Sequence, residues 1–187
     1  MMQERRKMLI RKTLGHDFNA IMDVEKAAFG HEKEADLVAE LLADPSAEPV
    51  LSLLAFHNNS AVGHILFTRV RFAGQNGPQP LMHILAPLAV KPEYQKQGIG
   101  GMLIAEGLKI LRENGSELVF VLGHKEYYPR HGFITDAGGL GFSAPYPIPA
   151  EHAGYWMVQP LTPKGLEIAK GRILCADTLQ KPEHWRE

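Results

Sequence analysis

The chain has 187 residues, of which 45% are hydrophobic and 22% are charged. This composition is typical of a globular protein with a full hydrophobic core, so we expect a single domain over residues 1–187. With a formal net charge of −1, the chain has no overall positive field that would attract nucleic acid or anionic membranes.

Cysteine content and hydropathy indicate the compartment. The single cysteine, Cys175, excludes an intramolecular disulfide and suits a reducing environment, and we expect it to be a small buried residue. No stretch approaches the roughly 20 apolar residues of a membrane helix, and residues 1–12 lack the apolar core of a signal peptide. Those residues carry five basic side chains, which we interpret as a solvated lead-in, with contact to RNA or lipid as the alternative. We therefore expect a cytoplasmic protein.

The first half of the chain predicts helices between strands. Residues 8–13 alternate as an opening strand, and the spacing of apolar residues predicts helices over 16–29 and 34–43. Residues 50–56 and 61–72 predict a β-hairpin around the turn HNNS.

The second half predicts a strand–helix–strand unit. Residues 81–90, LMHILAPLAV, form a nearly continuous apolar run that is typical of a central strand buried on both faces. Pro87 cannot donate to a sheet ladder, so we expect a bulge or a splayed pair of strands there. A helix then extends to about residue 114, and residues 118–123 predict another buried strand.

The tail after residue 136 is rich in glycine and proline, and only 154–161 predicts a further strand. If that strand is exposed, it can pair across a homodimer. The elements together predict an α/β fold (α+β mixed sheet).

A glycine-rich segment stands at the start of the predicted helix, in YQKQGIGGML. A helix start offers free N–H groups and a favourable dipole to an anion, and glycines let a phosphate approach closely. The Gly-Lys-Ser/Thr ending of a Walker loop is absent, and Leu103 stands where a dinucleotide fingerprint needs a third glycine. The remaining pattern, Gln/Arg-x-x-Gly-x-Gly/Ala after a strand, fits residues 95–100.

With this pattern the sequence resembles the GCN5-related N-acetyltransferases (the GNAT superfamily). The matching blocks are LAVKPEYQKQGIGGML from Leu88, the strand LVFVLG, and YPRHGF from Tyr128, which has the family's Tyr-x-x-x-Gly-Phe form. The finer pattern resembles a bacterial subgroup of predicted N-acetyltransferases. The resemblance covers residues 8–135, and 136–187 would add C-terminal strands and loops.

The resemblance implies acetyl-CoA (coenzyme A) as cofactor and a fold whose central strands are splayed around it. It assigns the pyrophosphate to the glycine-rich segment and the pantetheine arm to backbone groups of the preceding strand. The implied cofactor-binding residues are Leu88, Ala89, Val90, Gln95, Lys96, Gln97, Gly98, Ile99, Gly100 and Gly101.

Acyl transfer to an amine needs a stabilised oxyanion and a proton for the leaving thiolate. The backbone N–H of Val90 is our candidate for the oxyanion. Tyr128 matches the family tyrosine that protonates the coenzyme A sulfur, so we predict it as the catalytic acid. Tyr127 is the alternative, because a one-residue slip redirects the hydroxyl.

The general base is open. Many relatives place a glutamate on the strand before the pyrophosphate loop, but residues 81–90 contain no carboxylate. The candidates are His83, Glu126, Glu25 and His124. Direct attack with proton loss through water needs none of them, and we rank it first.

The other histidines show no metal-ligand spacing, so we expect no metal site. We expect satisfied core or surface residues at His31, His57, His64, His152 and His184. The run HEKEAD, residues 31–36, predicts the charged face of a helix start, and by resemblance it lies where the family closes over the acceptor.

The sequence thus predicts an acyltransferase, an N-acetyltransferase that moves an acetyl group from acetyl-CoA to a primary amine of a small molecule or protein. The alternative is a non-catalytic acyl-CoA-binding or sensor module on the same fold. A third possibility, protein or RNA binding through the basic N-terminus, predicts salt-sensitive binding that is indifferent to the glycines. We expect no nucleic-acid or membrane partner.

Overall fold

The structure is a computed structural model that describes residues 8–186. The basic segment discussed above therefore lies mostly outside the described residues. The helices are α1 (Phe18–Phe29), α2 (Lys33–Leu42) and α3 (Ile99–Glu113). The strands are β1 (Met8–Lys12), β2 (Leu51–His57), β3 (Ser60–Phe72), β4 (Met82–Val90), β5 (Leu118–Leu122), β6 (Phe142–Ser143), β7 (Trp156–Pro160) and β8 (Gly171–Leu174).

The strands form a mixed sheet, as predicted. Its order is β1-β2-β3-β4-β5-β7, and β8 pairs with both β3 and β6. Within this order only β4 and β5 run parallel, and they are joined by α3 as the apolar patterns indicate. None of the helices within residues 8–186 is both long and apolar enough to cross a bilayer.

Two hydrophobic cores lie on opposite faces of the sheet. One packs α1 and α2 against the sheet through side chains such as Val24 and Leu41, and the other packs α3 through Leu103 and Leu108. Neighbouring residues of a strand point to opposite faces, so β4 contributes to both cores and has the continuous apolar run noted above. Helix α3 therefore covers one face of β4, and α1 and α2 cover the other.

β4 departs from regular pairing at Pro87, as predicted. Against β3, residue Ile65 pairs with Leu88 and Phe67 pairs with Leu85, so two residues of β4 bulge opposite one of β3. Against β5, the paired residues of β4 are Met82 to Ile84. Beyond that point the two parallel strands diverge, and both predicted features, a bulge and a splay, are present.

The C-terminal tail contains more sheet than predicted. β6 and β8 were not predicted, because strands of two and four residues are too short to show a period. β8 is held by non-local pairing, with Phe72 opposite Ile173 at the end of β3.

The condition for dimer pairing through 154–161, an exposed strand, is not met at residues 156–158. Trp156 and Val158 of β7 are buried, and the outer edge of the strand bonds the chain's own residues 134–137. The expectation for Cys175 is confirmed, since it is buried in the α1–α2 core and its burial raises the pKa of the thiol.

Candidate active site

The glycine-rich segment forms the N-terminus of α3. Gly98 precedes the helix in the left-handed conformation, with φ 85°, and Lys96 also has a positive φ of 60°. The first hydrogen bond of the helix runs from Met102 N–H to the Gly98 carbonyl, at 3.0 Å. The N–H groups of Ile99, Gly100 and Gly101 precede it and are available to an anion.

A groove of about 700 Å³ opens over this helix start, and we call it the donor groove. Its walls are Leu88, Val90, Tyr94, Gln95, Lys96, Gly98, Ile99, Gly100, Gly101, Tyr127, Arg130 and His131. Of the predicted cofactor residues, Ala89 and Gln97 are not on these walls.

The structure gives Gly100 and Gly101 a second role. A Cβ atom on Gly100 would lie 2.6 Å from the Tyr127 hydroxyl, and one on Gly101 would lie 2.8 Å from Cε1 of His131. Both contacts are far inside van der Waals distance. The two glycines therefore let side chains from the segment after β5 cross the first turn of α3.

The donor groove carries positive charge that the sequence did not reveal. Arg130 lies over the Tyr127 ring, 5.7 Å from its centroid, and both line the groove with Lys96. Burial, together with Arg130, lowers the pKa of His131 below its ordinary value, so the imidazole adds little charge at neutral pH. Arg130 and His131 stand within the Tyr-x-x-x-Gly-Phe block, which was the only signal for them.

The backbone of β4 exposes alternate residues to the splay. Lys91 N–H bonds the Val62 carbonyl of β3 at 2.9 Å. Since pairing alternates along an antiparallel ladder, the backbone of Ala89 also faces β3, while the groups of Leu88 and Val90 face the gap toward β5. Gln95 Nε2 donates to the Val90 carbonyl at 3.0 Å, which leaves the Val90 N–H for a ligand.

The arrangement fits a ligand with an anionic end and a peptide-like arm. Free amides and the cations Lys96 and Arg130 suit a pyrophosphate, and the groups of Leu88 and Val90 suit the amides of a pantetheine arm. The structure therefore offers Leu88 and Val90, but not the backbone of Ala89, for the predicted contacts to the arm.

The two adjacent tyrosines occupy different places. Tyr127 lies on the groove wall at the helix start, whereas Tyr128 packs behind it, edge-on to Phe133 at 5.6 Å between ring centroids. A Cβ on Gly123, just after β5, would lie 2.5 Å from the Tyr128 ring, so Tyr128 sits at the end of β5 where the strands diverge. Burial raises the pKa of both phenols, with Tyr127 adding to the effect on Tyr128, so both are protonated at neutral pH.

His83 is not placed to act as a base. It lies on the closed part of the β4–β5 pair, opposite Val119. Its Nε2 bonds the Pro49 carbonyl at 2.9 Å, and its Nδ1 bonds the Ser116 hydroxyl at 2.9 Å. Because a carbonyl only accepts, Nε2 carries the proton and Nδ1 accepts from Ser116. Burial lowers the pKa of this histidine, which is a satisfied core residue.

Glu25 is fully buried on the α1 face of the sheet. Its Oε1 lies 2.6 Å from Nδ1 of His64, whose Nε2 lies 2.9 Å from the Ser52 hydroxyl. Burial raises the pKa of Glu25 despite this partner. The other base candidates, Glu126 and His124, are exposed on a shallow surface cavity beside Tyr127.

A second cavity of about 270 Å³ reaches the splay from the opposite face. We call it the C-terminal cavity, and its walls are Lys33, Glu34, Leu37, Ile84, Leu85, Ala86, Leu122, Leu179, Glu183, His184, Trp185 and Arg186. Residues 84–86 are the part of β4 where pairing with β5 ends, and Leu122 is the last residue of β5. Lys33 and Glu34 belong to the run 31–36, which the resemblance places near the acceptor, whereas no sequence motif indicated a role for residues 179–186.

Metal coordination has no candidate in the described part of the chain, where no group of three or more His, Cys, Asp or Glu side chains could hold an ion.

A parallel strand pair that opens between two grooves, one of them over a glycine-rich helix start, defines the class of acyl-CoA N-acyltransferases. A sequence model described as "Acetyltransferase (GNAT) family" matches residues 18–133. The chain therefore belongs to the GNAT family of acetyltransferases, and the family, fold class and enzyme class predicted from the sequence are confirmed.

Relatives extend over most of the chain. The uncharacterized N-acetyltransferase YjhQ of Escherichia coli K12 is 58% identical over 161 residues, which are 86% of this chain and 88% of the relative. The YhbS protein of E. coli, solved in complex with CoA, superposes with a TM-score of 0.85 at 26% identity and covers 97% of this chain and 96% of its own. A GNAT acetyltransferase from Brucella melitensis, solved with acetyl-CoA, superposes with a TM-score of 0.73 at 29% identity. The superposition covers 94% of this chain and 99% of the Brucella chain.

Proposed function

We propose that the whole chain acts as one N-acetyltransferase domain that moves an acetyl group from acetyl-CoA to a primary amine of a small molecule or protein. The observation that carries the proposal is the gap between β4 and β5, reached by the donor groove from one face and by the C-terminal cavity from the other. A thioester and an amine that enter from opposite faces meet at this gap. The relatives solved with CoA and acetyl-CoA support the choice of cofactor.

Binding of the donor depends on the N-terminus of α3. The N–H groups of Ile99, Gly100 and Gly101, with Lys96 and Arg130, hold the pyrophosphate. Leu88 and Val90 pair with the pantetheine arm through their backbone, so that the arm extends the sheet beside β4. When bound, acetyl-CoA supplies an activated acetyl thioester.

The residues at the gap polarise the thioester and protonate the leaving group. The Val90 N–H, which faces the gap, donates to the thioester carbonyl oxygen. The Tyr128 phenol, protonated at neutral pH and placed where β5 ends, donates its proton to the coenzyme A sulfur. Tyr127 lies farther along the groove, at the pyrophosphate end.

The acceptor enters through the C-terminal cavity. Its floor is apolar, with Ile84, Leu122 and Trp185, and its rim carries the carboxylates Glu34 and Glu183. A volume of about 270 Å³ is at the small end for a ligand pocket, so it suits a small amine or a single side chain of a protein.

The proposal is tested by calorimetric titration with acetyl-CoA and by release of free thiol in the presence of amines. We expect micromolar binding, and turnover with at least one of spermidine, L-lysine, 2-phenylethylamine and a peptide with a free N-terminal alanine. Binding without any turnover over a wider amine panel would favour the sensor module. A folded protein that does not bind acetyl-CoA would contradict both the N-acetyltransferase and the sensor-module hypotheses.

The two tyrosines can be separated by removing one hydroxyl at a time. We expect Tyr128→Phe to lower kcat by about 100-fold with little change in the Kd for acetyl-CoA, because only the proton for the thiolate is lost. Tyr127→Phe, the matched control in the adjacent position, is expected to keep kcat within a few-fold. The reverse pattern in steady-state kinetics would assign the acid to Tyr127.

A further inference from the structure

The C-terminal turn Pro182–Trp185 is fixed over the C-terminal cavity. Trp185 is buried, donates its indole N–H to the Leu179 carbonyl at 2.9 Å, and meets the Trp156 ring edge-on at 5.5 Å. The His184 N–H bonds the Lys181 carbonyl at 3.1 Å. The contacts of Trp185 and the backbone hydrogen bond of His184 together hold His184 against the cavity.

His184 is a partly buried histidine whose ring is not used by the fold. Its side chain is 14% exposed and lines the cavity that also contains Ala86 and Leu122. Among the described residues the nearest carboxylate oxygen, on Glu183, lies 3.9 Å from Nε2, beyond hydrogen-bond distance. In residues 8–186 the ring makes no hydrogen bond, whereas both ring nitrogens of His64 and of His83 are engaged.

We propose that His184 is the general base of the reaction and takes the proton from the acceptor amine in the C-terminal cavity. This inference rests on the proposed function. It replaces direct attack with proton loss to water, and it gives the C-terminal tail a catalytic role.

The proton balance of the step is complete. The amine nitrogen forms its bond to the acetyl carbon while the carbon–sulfur bond breaks. The proton from the amine passes to a ring nitrogen of His184, and the Tyr128 phenol gives its proton to the sulfur. His184 then loses its proton to solvent, and Tyr128 regains one.

Burial favours the neutral form of the His184 imidazole, which a base requires. Burial lowers its pKa, and the cations Lys33 of α2 and Lys181 of its own turn lower it further, against the opposing effects of Glu183 and Glu40. Lys181 is itself paired with Glu40 at 3.6 Å.

Glu34 and Arg186 are the other charged groups on the cavity wall. Glu34 Oε2 lies 3.0 Å from Nδ1 of His31. His184 therefore shares the cavity with charges of both signs, and burial decides the direction of its pKa.

Bromoacetyl-CoA tests the position of His184 without a known acceptor. The imidazole displaces bromide from the methylene carbon, forming a carbon–nitrogen bond that peptide mass spectrometry locates. We expect labelling at His184, blocked by excess coenzyme A, with a rate that rises with pH to a midpoint below the ordinary histidine value of 6.5.

Two variants control the labelling experiment. His184→Asn is expected to lose this label, while His16→Asn, at a side chain that is 73% exposed on the turn before α1, is expected to keep it. Coenzyme A-protected labelling at another residue, with none at His184, would overturn the inference and leave the proposed function standing. Failure of coenzyme A to bind would overturn both.

Kinetics add an independent readout with an amine from the panel above. His184→Asn is expected to lower kcat by about 100-fold at pH 7, to remove the acid limb of the pH profile, and to recover in part with added imidazole. His184→Gln provides a second variant if thermal unfolding shows that the first is not folded. An unchanged pH profile in a folded variant would overturn the inference.

Discussion

Gly100→Glu is expected to weaken acetyl-CoA binding by at least about 100-fold, which corresponds to about 2.8 kcal/mol. Its Cβ would collide with the Tyr127 hydroxyl, 2.6 Å away, and its carboxylate would stand in the donor groove where the phosphates bind. An acidic residue in the first turn of a helix is favourable, so α3 itself should persist. Calorimetry with acetyl-CoA and with free coenzyme A measures the loss.

Met102→Glu is the matched control for that experiment. Met102 belongs to the same turn of α3 and is 40% exposed, but it is not on the wall of the donor groove. The variant introduces the same charge at nearly the same distance from the helix end. We expect its Kd to stay within about three-fold of the wild type at physiological salt, since exposed charges are screened. An equal loss of acetyl-CoA affinity in both variants would contradict the explanation that the Gly100→Glu side chain blocks the donor groove.

Glu25→Ala is expected to destabilise the protein by about 3 to 5 kcal/mol, because it removes one partner of a fully buried pair. His64 would lose its 2.6 Å contact, and a cavity would form between α1 and β3. Glu25→Gln is expected to lower the free energy of unfolding much less, since the glutamine amide oxygen can accept a hydrogen bond from Nδ1 of His64 without carrying charge. Denaturant unfolding with a common m value measures the difference.

A double variant separates the contribution of the Glu25–His64 pair from the cost of leaving one of its partners buried alone. Replacing both Glu25 and His64 by leucine removes the two polar partners together, and such exchanges are often neutral or stabilising. A double variant less stable than Glu25→Ala would show that the pair contributes net stability.

The pH dependence gives a further check on Glu25. Its folded pKa is raised above the ordinary value of 4.5, so the unfolded chain loses this proton first. The contribution of Glu25 to stability is therefore present below about pH 4.5 and declines as pH rises through the folded pKa. Relative to Glu25→Gln, the wild type is expected to lose stability over that interval, and a parallel pH profile for the two proteins would contradict the assignment.

Most of the first 135 residues followed from local patterns in the sequence. The strands at 81–90 and from Leu118 were indicated by continuous apolar runs, and the helix from Ile99 by its helical period. Pro87 predicted the break in β4 because a residue without an N–H cannot continue a ladder. The glycine-rich segment and the Tyr-x-x-x-Gly-Phe block identified the family, because such motifs are recognised by their spacing along the chain and not by tertiary contacts.

The sequence by itself determined the family and the enzyme class, and it predicted an anion site at the start of α3. The tertiary structure decided which groups meet. Both ring nitrogens of His83 are hydrogen-bonded in the fold, and Glu25 is buried against His64. Gly100 and Gly101 make room for the side chains of Tyr127 and His131. The fold also brought His184 to strands that end more than 60 residues earlier in the chain. The physical reason is that burial, charge pairing and the pKa of a side chain depend on neighbours distant in sequence, which no local period records.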